Sequence, residues 1–255
     1  VVNDGSTDIN VEKILNSFDD KKLKIISQNN SGFVRAIKNA ISLSKGDFIA
    51  IQGAGDVSFS NRLKIQYEYL SKNPEVAAVG SGCRQVSEER KGRERYFKPV
   101  KNCSIENLYI NMPFVHGTVM YRKSFYEESG GYDERFRYCS DWDLFFRLIE
   151  FGGIHSVDKY LYEQRMFTDG FSFSPAHKFK QIWFKERVLD RSYKSRKKLD
   201  KAEEFTSNIS EYDKKYLKSS FVFGVKAFVK GDYRNSLQWM SVVRIQLLKL
   251  ILFKA

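Results

Sequence analysis

A chain of 255 residues, 42% hydrophobic and 15% aromatic, is long enough for one large domain plus an extension and apolar enough to fill a core. Its three cysteines, Cys83, Cys103 and Cys139, are far apart and form no CxxC pair, which argues against a disulfide framework or a zinc site and fits a reducing compartment. The net charge of +12 gathers at one end: residues 176–255 carry 19 Lys/Arg against 8 Asp/Glu, residues 1–175 carry 24 against 23.

In chain order, Val1-Val2-Asn3-Asp4-Gly5-Ser6-Thr7-Asp8 reads as a strand end, a tight turn and a helix start, with Ser6, Thr7 or Asp8 as the cap. The chain opens without Met, directly on an apolar pair, as a strand cut in its middle would; a preceding piece is expected. Lys24-Ile25-Ile26-Ser27 is a second strand and Asn29-Asn30-Ser31-Gly32 a turn. A helix over 33–43 places Phe33, Ile37, Ala40 and Ile41 on one face. Phe48-Ile49-Ala50-Ile51 is a short apolar run, the pattern of a strand covered on both faces. Gly53-Ala54-Gly55 then lets backbone approach a ligand where a Cβ would obstruct it. Asp56 closes this turn at the carboxyl end of the strand, where open α/β sheets bind ligands. A helix over 62–70 ends at Asn73-Pro74, and Val76-Ala77-Ala78-Val79-Gly80 is one more buried strand. Strands alternating with helices predict parallel pairing through right-handed crossovers.

Several segments together resemble the inverting family 2 glycosyltransferases of GT-A fold. They are Val-Val-Asn-Asp-Gly-Ser-Thr-Asp, then Asn30-Ser31-Gly32 with Asn39 beyond, then Gly46-Asp-Phe-Ile. The likeness continues through His116-Gly-Thr-Val-Met-Tyr-Arg-Lys123 and Gly130-Gly-Tyr-Asp-Glu134, similar to the family's Gly-Gly-Phe-Asp-Glu turn. Cys139-Ser-Asp-Trp-Asp-Leu-Phe-Phe-Arg147 resembles its Glu-Asp-x-Asp-Leu segment. The resemblance runs from residue 1 to about 172 and implies a mixed, mainly parallel sheet flanked by helices over 1–175, with a strand and helix missing before it, followed by a basic helical extension over 176–255.

It also implies a nucleotide-diphosphate sugar donor, a UDP-sugar first among them, with transfer of a hexosyl group to a hydroxyl. Asp4, Gly5 and Ser6 fall where the family meets the nucleotide base. Gly53, Gly55 and Asp56 fall at its diphosphate turn. There the family carries Asp-x-Asp-Asp, whose carboxylates hold a divalent ion against the pyrophosphate. With Gly53-Ala54-Gly55-Asp56, only Asp56 remains as a metal ligand, and the family's later His is also missing near 165–168. Mg or Mn is therefore weakly held, borrowed from the diphosphate, or absent. Arg165 is one cation that would serve in its place; its bland alternative is a surface ion pair. Backbone N–H groups at Gly53 and Gly55 are another means of holding the anion.

Asp141 matches the family's catalytic base, and a helix beginning at Ser140 would put it where the dipole favours its ionised form. Ser140 stands where the family has Glu. On the acceptor side, the resemblance points to His116, Trp142 and Asp143, with core packing as the alternative for Trp142 and a structural role for Asp143. The basic run over 84–101 reads as a variable loop or hairpin. Beyond residue 175 the motifs stop; 178–201 has helical spacing, 221–236 onward reads as a helix pair, and 239–253 is apolar with a narrow polar stripe. With its excess of Lys/Arg, this extension is expected to lie peripherally on an anionic membrane, at the inner face in the cytoplasm, and no aromatic-basic nucleic-acid motif is present. No apolar run reaches the ~18 residues that a spanning helix needs. The expected setting is polysaccharide or lipid-linked glycan synthesis. The competing readings are a degenerate module that binds sugar nucleotide or glycan without turnover, and a basic α/β adaptor.

Overall fold

The computed structural model describes residues 1–87, 94–166 and 175–197, and eight further residues between 221 and 240. The helix pair expected from 221, the apolar segment 239–253 and the end of the helix expected to reach 201 lie outside the described residues, apart from those eight positions.

The first half alternates as the apolar pattern requires. β1 (Val2–Asp4), α1 (Ile9–Asn16), β2 (Ile26–Gln28), α2 (Phe33–Ser42) and β3 (Phe48–Ala50) are followed by β4 (Val57–Ser58) and α3 (Arg62–Lys72). Asp8 is the cap that starts α1, its carboxylate accepting from the Asn10 N–H at 2.9 Å. The long β5 (Val76–Ser87) and β6 (Glu94–Phe97) form a hairpin within the basic 84–101 run. β7 (Asn102–Cys103), α4 (Ile105–Ile110), a 3-10 turn over His116–Thr118, β8 (Met120–Arg122) and α5 (Lys123–Glu128) lead to α6 (Ser140–Leu148). β9 (Gly153–Met166) and α7 (Pro175–Lys197) follow.

The sheet is mixed, and the parallel pairs are β1 with β2 and β5 with β9. The main sheet runs β3-β8-β5-β9-β4, with β3, β4, β6, β7 and β8 all paired antiparallel. A mainly parallel sheet is the expectation from the sequence; the crossover through α1 makes β1 and β2 parallel, whereas in the main sheet β5 and β9 alone among the described strands run parallel, and only β6 returns antiparallel by direct connection from its partner β5. The core lies between this sheet and α2, α4 and α6, with Phe114, Tyr121, Leu144, Phe145 and Ile154 fully covered.

One helical face differs from the periodic reading, and a second helix joins the core. On α2 Val34, Ala36 and Ile41 are buried and Ile37 is partly buried against the core, while Phe33 is exposed and meets His116 edge-on at 5.9 Å. Val34-Ile37-Ile41 is an equally apolar helical face, turned by one residue, and it wins because it faces the core. On α7, Val188 joins the core itself and Phe184 and Leu189 pack against it. The helix at the start of the basic extension is thereby part of the packed body.

Candidate active site

Four turns at one end of the strands carry the residues singled out by the motifs. The first is built around Asp4. Its Oδ1 accepts from Gln28 Nε2 at 2.8 Å, from the Ser31 N–H at 2.9 Å and from the Ser31 hydroxyl at 3.1 Å, while Oδ2 accepts from the Gly32 N–H at 2.9 Å. Asn39 Nδ2 holds the other end of Gln28 at 2.6 Å, so the separate motif pieces Asp4, Ser31-Gly32 and Asn39 form one hydrogen-bonded unit. Burial works to raise the Asp4 pKa, but these donors outweigh it and hold the carboxyl below its ordinary range. Gly5 has a φ of +72°, and a Cβ there would lie 2.7 Å from the Asn30 nitrogen; the Ser6 N–H donates to Asn3 Oδ1 at 3.0 Å. Asp4 thus positions the loop that opens α2. Its Oδ2 has a single donor among the described residues.

The second turn, residues 53–56, is clamped from β9. The Tyr162 hydroxyl donates to Asp56 Oδ2 at 2.7 Å and accepts from the Gly53 N–H at 2.9 Å, and the Arg165 N–H donates to Asp56 Oδ1 at 3.0 Å. Burial pushes the Tyr162 phenol well above its usual range, so it acts as a neutral donor. Arg165 reaches the turn by its backbone, while its guanidinium is half exposed and lies 3.8 Å from Glu163.

The third group surrounds the 3-10 turn. His116 Nε2 and the Tyr132 hydroxyl are 2.6 Å apart, with Phe33 against the other side of the imidazole. Burial pushes the His116 pKa down, against the opposing charge of Asp141; burial likewise pushes that of Tyr132 far up. Both side chains are therefore neutral near pH 7, and Asp141 is close enough for its charge to act on each.

Asp141 itself lies in the first turn of α6, entered through Cys139 at φ +56°, the one non-glycine residue with positive φ among those described. Such a backbone conformation is costly and concentrates where a side chain must be aimed. Asp141 Oδ1 accepts from the Trp142 N–H at 2.9 Å, and among the described residues no donor reaches Oδ2. The other carboxylates here are engaged at both oxygens. Asp143, 2% exposed, accepts from Arg147 at 2.6 Å and from Arg191 at 2.9 Å. Trp142 points into the interior, donating Nε1–H to the Leu108 carbonyl at 2.8 Å with the Lys185 ammonium 4.7 Å from its ring centroid. Trp142 and Asp143 are thus both buried and engaged within the protein, while His116 and Asp141 lie close enough to interact electrostatically. The sequence reading missed Gln28, Tyr162 and Arg62. Arg62, Gln66 and Leu70 recur every four residues on the buried face of α3, a spacing visible in the sequence.

Residues 1–130 match the family model described as glycosyl transferase family 2. EpsE of Bacillus subtilis, a glycosyltransferase by name, is 31% identical over 175 residues, which cover 66% of this chain and 62% of EpsE. The O-antigen biosynthesis glycosyltransferase WbnJ of Escherichia coli is 28% identical over 130 residues, 51% of this chain and 50% of WbnJ. The chain therefore spans about three-fifths of EpsE and half of WbnJ. Residues 1–349 of S. aureus TarS, solved with UDP-GlcNAc, share 14% identity and a TM-score of 0.55 over 96% of this chain and 81% of that one, a likeness of fold. The mixed α/β body with its flanking helices is of GT-A type, and the chain belongs to glycosyl transferase family 2.

Proposed function

We propose that this protein transfers a hexosyl group from a nucleotide-diphosphate sugar, a UDP-sugar first among donors, to a hydroxyl of a glycan or lipid-linked acceptor, with inversion. The observation that carries the reading is the free oxygen of Asp141: of the site carboxylates, it alone has one without a donor among the described residues. A base needs an oxygen of this kind. The acceptor oxygen attacks the anomeric carbon and its proton passes to Asp141 Oδ2. The bond from that carbon to the diphosphate breaks, and its electron pair leaves with the nucleoside diphosphate. His116, neutral and held by Tyr132, lines the approach, and the unit of Asp4, Gly5 and Ser6 receives the base.

Family membership and a relative named for O-antigen biosynthesis support a donor of this class and a role in polysaccharide or lipid-linked glycan assembly. The +11 charge of residues 176–255 supports peripheral contact with the inner membrane face; among the described residues no helix is long and apolar enough to cross a membrane. The test is nucleotide release from a panel of UDP- and GDP-sugars, with membrane lipid extract as acceptor source and NMR of the product's anomeric configuration. Release with an inverted product is expected. Nucleotide binding with no turnover on any donor would instead make this a binding module.

A further inference from the structure

Beneath the 53–56 turn lies a buried cation with no carboxylate against it. Arg62 is 1% exposed, and each of its five N–H donors goes to a neutral oxygen. Nε donates to Gln66 Oε1 at 3.0 Å, Nη1 to Ser58 Oγ at 2.7 Å and Gln52 Oε1 at 3.3 Å, and Nη2 to the carbonyls of Ile51 at 2.7 Å and Val119 at 3.3 Å. Burial pulls its pKa down, to about 10, which leaves it charged near neutral pH. A buried charge is ordinarily paired. Here the guanidinium lies 5.0 Å from the Tyr162 ring centroid, and the Tyr162 hydroxyl donates to Asp56; one phenol separates the cation from the turn's carboxylate.

The turn does not fit a divalent ion. Both oxygens of Asp56 already face hydrogen-bond donors, and the described residues contain no group of three or more His, Cys, Asp or Glu placed to hold a metal. A side chain cannot be restored at position 53 without displacing Asp56, since a Cβ there would lie 2.4 Å from Asp56 Oδ2. Position 55 has a φ of +83°, which a side chain strains. Ala54 and Gly55, by contrast, are exposed residues, and their N–H groups meet no acceptor among the described residues.

We infer that this turn takes the donor's diphosphate directly, without a divalent ion, on the N–H groups of Ala54 and Gly55, with the buried charge of Arg62 offsetting that of Asp56. Arg62 is a positioning residue: it holds the ends of β3, β4 and the 3-10 turn together and makes the turn electrostatically acceptable to an anion. This rests on the nucleotide-sugar reading above. The two are separated by titrating the full chain calorimetrically with UDP, GDP, uridine and guanosine, in EDTA and in Mn²⁺. The diphosphates are expected to bind equally in both, and the Mn²⁺ EPR signal of a protein–UDP mixture to match that of UDP alone. Arg62→Gln is expected to lose about tenfold or more in diphosphate affinity with nucleoside affinity unchanged, and Arg62→Lys to recover part of the loss. Diphosphate binding that appears only with Mn²⁺, or an equal loss for UDP and uridine in Arg62→Gln, would overturn the inference and leave the donor reading standing. The wild-type metal comparison decides the matter even if the variants do not fold. Failure to bind any of the four ligands would overturn both.

Discussion

The Arg191 guanidinium on α7 donates to Asp143 Oδ1 on α6 at 2.9 Å and to Asp133 Oδ2 at 2.7 Å. One side chain thus ties the helix that begins the basic extension to the helix that carries Asp141. Arg191→Met leaves the buried Asp143 with Arg147 as its remaining cation. A loss of roughly 1–3 kcal/mol is expected in urea unfolding, with partial recovery in Arg191→Lys.

Gly5 is a second point of dependence. Its φ of +72° and the 2.7 Å approach to the Asn30 nitrogen mean that Gly5→Ala must move the loop that Asp4 holds. The expected cost is about 1–3 kcal/mol, read as a lower urea midpoint, with nucleotide affinity falling alongside it. An unchanged midpoint would show that this loop yields freely.

Trp142→Phe removes the donor to the Leu108 carbonyl and weakens the contact with Lys185 while keeping most of the apolar volume. About 1–3 kcal/mol of stability is expected to go. Because the ring faces the core, kcat of the folded variant should stay close to wild type. A large fall in kcat at normal stability would mean that Trp142 meets the acceptor after all.

Acid should weaken the fold in two separate windows. Burial holds His116 below its ordinary 6.5, so the unfolded chain takes up that proton first. The His116 contribution is therefore complete above its unfolded pKa and is lost as pH falls toward the folded value. Asp4, Asp133 and Glu134, all held below the usual carboxylate range, lose their contributions only under more acidic conditions. Urea midpoints measured between pH ~7.5 and ~5.5 should decline, and His116→Gln should flatten that decline without changing the one at lower pH.

Much of this was legible in the sequence because local signals and the buried faces agreed. The apolar run Phe48–Ala50, the Asp8 cap of α1 and the motif order were enough to place the site residues along the chain. What the sequence could not carry was long-range chemistry. Asp4 looks like a turn residue until Gln28, Ser31 and Gly32 are seen to close on it. Tyr162 sits in an ordinary strand pattern, and only the pairing of β4 with β9 brings its hydroxyl to Asp56. Phe33 reads as a core residue by periodicity, yet the neighbouring register of α2 buries more. Asp143 and Asp141 are two residues apart in sequence, and only the placement of Arg147 and Arg191 shows which carboxylate is already engaged.

The role of Asp141 is the central claim, and Asp141→Asn tests it most directly. Donor-sugar turnover and UDP affinity would be measured side by side on the full chain. The substitution keeps the acceptor for the Trp142 N–H and removes the proton-accepting charge. Turnover is expected to fall by about 10²–10⁴-fold, with UDP affinity and unfolding midpoint unchanged. Turnover retained within a few-fold of wild type would contradict the account and require another base.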